Sequence, residues 1–149
     1  MSDPLLLNSA DGHVPASKRI PVIACPFTSS RAQKTLDLVE KFVEEECIPA
    51  DAIFSQQLGE GVASRFNTQP RVLEDLKTKA KNLGLWNMFL PKRISSDLGA
   101  GFSNLEYGVM AEYLGKSVIA SEATNCAAPD TGNRKSWQDM AQKIRRGDG

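Results

Sequence analysis

The sequence lacks a net charge: 18 Lys and Arg meet 18 Asp and Glu. No long-range positive field gathers phosphates, so nucleic acid is not an expected partner. It holds a single histidine, His13, which removes the usual material of histidine acid–base chemistry and of His-rich metal sites. Cys25, Cys47 and Cys126 are an odd set without a C-x-x-C pair. Neither a disulfide framework nor a zinc or redox motif is written there, and the three read as small buried thiols in a reducing compartment. No apolar run approaches the roughly 18–20 residues that span a bilayer. Asp3 and Asp11 precede any basic residue, unlike a secretory signal or an Arg-rich transit peptide. The expected address is the cytoplasm or an organelle matrix, mitochondrial or peroxisomal, and not secretion.

What is present is an ordinary globular composition. Over 149 residues, 41% are hydrophobic and 24% charged, which suits one domain with a real core. Residues 1–28 carry Pro4, Pro15, Pro21 and Pro26 without helical or strand period. They predict a disordered start, then an extended, partly docked stretch around Ile20–Phe27, with His13 solvated. Ser30 and Gln33 suggest a capping box, and Ala32, Leu36, Val39, Val43 and Cys47 share one face. A helix over 31–47 is predicted, with Glu40, Lys41, Glu44 and Glu45 turned to water and Pro49 stopping it. Residues 51–69 read as a loop around Gly59 and Gly61. That G-x-G lacks the strand and third glycine of a dinucleotide fingerprint. The Glu44–Glu46 run reads as a solvated face.

A second helix starts at Pro70, carries Val72, Leu73, Leu76, Ala80 and Leu83 on one stripe, and stops at Gly84. Lys77, Lys79 and Lys81 complement its C-terminal dipole, with a phosphate patch as the other reading. Leu85–Pro91 reads as a buried extended connector. Ser103 and Glu106 form a second capping box, opening a helix through Leu114 that Gly115 closes. Ser117–Cys126 suits a closely packed helix of small residues. The Pro129-Asp130-Thr131-Gly132 turn reads either as a ligand-orienting turn or as a plain helix connection. The fold class is all-α.

Four tracts in order carry a resemblance: Leu83–Pro91 (LGLWNMFLP), Gly99–Tyr107 (GAGFSNLEY), Met110–Ser117 (MAEYLGKS) and Asn125–Asn133 (NCAAPDTGN). Together they resemble the amino-terminal helical domain of acyl-CoA dehydrogenases, the last tract resembling the long-chain-type subgroup. The resemblance covers roughly residues 31–133. It implies an oxidoreductase fold in which the helical domain closes one side of the acyl-chain pocket. It also implies FAD held mainly by other domains, and fatty acid β-oxidation chemistry in which a glutamate removes the α-proton of an acyl-CoA while flavin takes the β-hydride. It divides the chain into a tail (1–28), the helical domain (29–133) and a non-homologous basic end (134–149). Thr124, Asn125 and Ala128 fall where the family lines the tail of the acyl pocket; their small side chains serve helix packing equally well.

After Asn133 the pattern departs. Neither the flavin-binding segment nor the catalytic glutamate of the family is found in residues 134–149, so the resemblance assigns no catalytic, cofactor-binding or metal residue here. The expectation is a truncated dehydrogenase domain that binds FAD weakly or not at all and is inactive alone. The alternative is a non-catalytic interaction protein that pairs with a full-length relative through apolar surface. The end is basic, with Trp137, Met140, Ala141 and Ile144 at helical spacing. It suits a surface-binding helix, a replacement helix over exposed apolar surface, or an unrelated end.

Overall fold

The computed structural model describes residues 12–90 and 100–127, without the side chains of Arg65 and Phe66. The expectations for residues 1–11, the Pro129–Gly132 turn and the basic end therefore lie outside the described residues. Among the described residues the regular structure is all helical: α1 (Ser30–Phe42), a π-helical segment (Val43–Cys47), α2 (Ile48–Leu58), α3 (Val62–Asn67), α4 (Arg71–Asn82), α5 (Asn104–Leu114) and α6 (Ala120–Ala123), preceded by 3-10 turns at Ala16–Lys18 and Cys25–Phe27. No described helix is long and apolar enough to cross a membrane.

Pro49 does not stop the first helix. The Ile48 N–H reaches back to the Val43 carbonyl, a five-residue step that widens the coil by one residue. The register shift places Pro49 in the first turn of α2, where a missing N–H costs nothing. Helix therefore runs on through the residues expected to be loop. It breaks at Gly59, whose φ of 73° and ψ of 176° are open essentially only to glycine. Gly61 (φ 99°) then leads into α3. The N-cap of α1 is Ser29 rather than Ser30: its side chain accepts from the Ala32 N–H, while Gln33 donates to the Thr28 carbonyl. α4 forms where expected but one residue shorter at each end, with Pro70 as its extended N-cap and Leu83 as its C-cap, and Gly84 takes the left-handed φ of 73°. Leu85–Leu90 is buried apart from half-buried Trp86, but as successive turns rather than an extended strand.

α1 packs on α5 and on the first 3-10 turn, α2 on α4, and α6 on α4 and α5. Their shared core holds Leu36, Val39, Phe42, Leu85, Met88, Met110 and Leu114, each 2% exposed or less. The Pro-rich start is pinned rather than merely extended. Asp37 accepts from the Ser17 N–H (2.7 Å) and hydroxyl (2.8 Å). Glu40, one turn on, accepts from the Ala16 N–H at 2.9 Å and pairs with Arg19. Glu40 is thus buried, against the expectation of a solvated face, because the turn it holds lies over it. The Glu44–Glu46 run does face outward and pairs across helices, Glu44 with Lys116 at 2.9 Å and Glu46 with Lys79.

Candidate functional site

The expected acyl-lining residues sit at the end of α6, where the chain turns back over the Leu85–Leu90 connector. Ala120 and Ala123 are fully buried; their small side chains let α6 lie close to its neighbours. Thr124 is fully buried, and its hydroxyl donates to the Ala120 carbonyl at 2.9 Å. The Thr124 carbonyl in turn accepts the Asn87 N–H at 3.1 Å. Asn125 is buried and donates its side-chain amide to the Asn87 side-chain oxygen at 2.7 Å. Both asparagines take left-handed backbone, φ 59° at Asn87 and 57° at Asn125, a conformation asparagine tolerates better than other side chains. Two tight turns, 38 residues apart, are thus locked back to back. The structure brings Thr124 and Asn125 together with Asn87; Ala128 lies outside the described residues.

Asn87 was not among the expected site residues. Its signal was an asparagine inside an apolar run closed by proline, a turn former where burial alone would favour an aliphatic side chain. Beside this lock, Cys126 lies against Tyr107. Burial, with the Cys126 sulfur second, pushes the Tyr107 phenol well above its ordinary value, which keeps it protonated. Cys47 is likewise an inert thiol, pushed up to about 12 by burial and by the nearby Asp51 and Glu46 carboxylates.

The lock is fixed to the rest of the fold by charge. Lys77 on α4 meets Glu74 at 3.0 Å and Glu122 on α6 at 3.2 Å. Burial alone would lower its basicity, but the two carboxylates outweigh it and hold the ammonium charged. Lys79 is held by Glu46 and Lys81 lies 4.3 Å over the Trp86 ring, so all three lysines have partners. His13, Glu40 and Glu44 bring ligand atoms within 4.8 Å of one another. The Ala16 N–H and the Arg19 guanidinium already occupy Glu40, and Lys116 holds Glu44. Two cations at that junction make it an ion-pair cluster ill suited to a metal.

Asn125→Ala is expected to cost about 2 kcal/mol, because it leaves the buried Asn87 oxygen without this donor and puts alanine in left-handed backbone. Urea unfolding checks it; Asn125→Gly, which relieves only the backbone, recovers part of the loss.

No family model matches the chain. Acyl-CoA dehydrogenase family member 10 of Mus musculus is 40% identical over 114 residues, 75% of this chain and 10% of the relative. A solved structure from Mycobacterium abscessus, assigned to the acyl-CoA dehydrogenases, superposes with a TM-score of 0.60 at 38% identity over 71% of this chain and 27% of that one. The chain belongs to the acyl-CoA dehydrogenase family. Acyl-CoA dehydrogenase family member 11 of Gallus gallus agrees, at 40% identity over 112 residues, 72% of this chain and 13% of the relative. The chain thus spans between a tenth and a seventh of the length of these curated relatives.

Proposed function

We propose that residues 29–133 are the amino-terminal helical domain of an acyl-CoA dehydrogenase and form one wall of its acyl-chain pocket, without carrying the dehydrogenation itself. The observation that carries the reading is the Asn87–Asn125 lock. It fixes the end of α6 against the Leu85–Leu90 turns, and both belong to tracts that resemble the family. In this reading Thr124 and Asn125 are positioning residues behind the wall. Their side chains are turned into the protein and set the turn that ends α6; Ala128, outside the described residues, is the proposed contact with the acyl tail.

The described residues do not fit the flavin by themselves. The buried polar side chains already serve the fold: Glu40 and Glu106 accept backbone N–H groups, Ser117 donates to Asp51, Thr124 to Ala120, and the two asparagines bond each other. FAD, the family's cofactor, is therefore assigned to parts of the enzyme beyond this domain, and the acyl-CoA is shared with them. The free thiols suit a reducing compartment, cytoplasm or organelle matrix. The purified chain, supplied with FAD, a long-chain acyl-CoA and an artificial electron acceptor, is expected to reduce none of the acceptor. Acyl-CoA-dependent reduction above the protein-free control overturns the claim that it carries no dehydrogenation.

A second reading has its own observation. Val22, Ile23 and Phe27 are 88%, 84% and 68% exposed in one short stretch, an apolar surface that would pair with a full-length relative. Co-purification with such a relative, lost on substituting Val22 and Ile23 by Ser, supports it; failure to co-purify removes it.

A further inference from the structure

A groove of about 370 Å³ runs between the start of α2 and α4. Its floor is apolar, formed by Pro49, Ile53, Val72 and Leu76, and Ile53 is 46% exposed there. Its rim is acidic. Lys79 is the cation of the lining, and Glu46 already holds it. Among the described residues Glu45 and Asp75 have only long pairs with residues four positions earlier, 3.9 Å to Lys41 and 3.9 Å to Arg71, so both retain capacity for further cations.

This chain carries a segment of matching chemistry. Residues 134–149 hold Arg134, Lys135, Lys143, Arg145 and Arg146 against Asp139 and Asp148, and their apolar residues Trp137, Met140, Ala141 and Ile144 recur at helical spacing. Reach is sufficient. α6 packs on α4, tied by the Lys77–Glu122 pair at 3.2 Å. The nine residues 128–136 can span roughly 30 Å, longer than α4 itself at roughly 18 Å.

We propose that residues 134–149 dock in the groove between α2 and α4 of their own chain. Trp137 and Ile144 cover Ile53 and Leu76, and the basic side chains meet Glu45 and Asp75. The segment then shields apolar surface and occupies that face against other partners. Its aromatic anchor supplies most of the hold, and the rim charges set its direction.

The test is zero-length carbodiimide coupling of the full chain, prepared as a mixture of isotopically heavy and light copies and read by peptide mass spectrometry. Lys135 or Lys143 is expected to couple to Glu45 or Asp75 within one copy, about fivefold more often than to the exposed Glu60 and Glu112 on other faces. Trp137→Ala and, separately, Ile53→Ala are expected to cut that yield about fivefold, the effect of losing one apolar anchor, with unchanged circular dichroism. Coupling spread evenly over all carboxylates, coupling found between heavy and light copies only, or no coupling at Glu45 and Asp75 overturns the proposal. So does a yield indifferent to both substitutions.

Discussion

Glu106→Gln is expected to lose about 2–3 kcal/mol of stability at pH 7, with the deficit shrinking as the pH falls toward 2. Glu106 is buried at the start of α5, yet one of its oxygens accepts the Ser29 hydroxyl at 2.6 Å and the Ser29 N–H at 2.9 Å. The other accepts the Ser103 N–H at 2.8 Å. Ser29 caps α1 and Ser103 caps α5, so one carboxylate ties two helix starts whose N–H groups have no partners within their own helices. Burial by itself would raise the carboxyl, but these hydrogen bonds outweigh it and hold the group at about 2, against an ordinary 4.5. The unfolded chain takes up its proton near pH 4.5 and the folded chain only near 2, so the unfolded state binds more protons in between. The stabilisation is complete above pH 4.5 and is lost as the pH drops through that window. It amounts to about 3 kcal/mol. Glutamine keeps the shape but turns a donor toward one of the N–H groups. Urea unfolding at several pH values checks this; a variant whose stability stays parallel to the native chain from pH 7 to 3 contradicts it.

Phe42→Ala is expected to cost about 3–5 kcal/mol, a large part of a typical domain's stability. Phe42 is 2% exposed at the last turn of α1, where the helix passes into the π segment. Removing the ring opens a cavity at the joint on which the widened register rests. The fall in Tm is expected to be about 10 °C, with Phe42→Leu recovering most of it. A fall no larger than that of an exposed control such as Val62→Ala contradicts the packing described.

The parts of the fold that were legible are those decided by a few neighbouring residues. α4 follows from Pro70, its apolar stripe and Gly84; the start of α5 follows from the Ser103–Glu106 box. Burial of the Leu85–Leu90 run was legible too, from its composition. The parts that were not depend on partners distant in sequence. Pro49 obeys a local rule for ending a helix, and the rule is overridden because a one-residue register shift upstream moves it into a first turn. Glu40 looks solvated by period, yet it lies under a turn 24 residues earlier. The carboxylate of Glu106 was legible as the cap of its own helix, not as a partner of Ser29, 77 residues away. At the candidate site the small residues of Ser117–Cys126 were legible as close packing, but the helix they suggest ends at Ala123 and turns at Thr124 and Asn125. The partner Asn87 was not legible, because pairing across 38 residues leaves no local period.

A helical unit that serves an acyl-CoA dehydrogenase as a pocket wall must work in place of the homologous wall of a relative. The most direct measurement replaces the homologous segment of the Gallus gallus family member 11 protein by residues 29–133 and follows bound flavin and acyl-CoA oxidation together. A chimera that holds flavin and oxidises acyl-CoA, with its preference among chain lengths altered by a larger side chain at Ala128, is the expected result. A folded, flavin-loaded chimera that does not oxidise acyl-CoA, or one whose chain-length preference ignores Ala128, would contradict it.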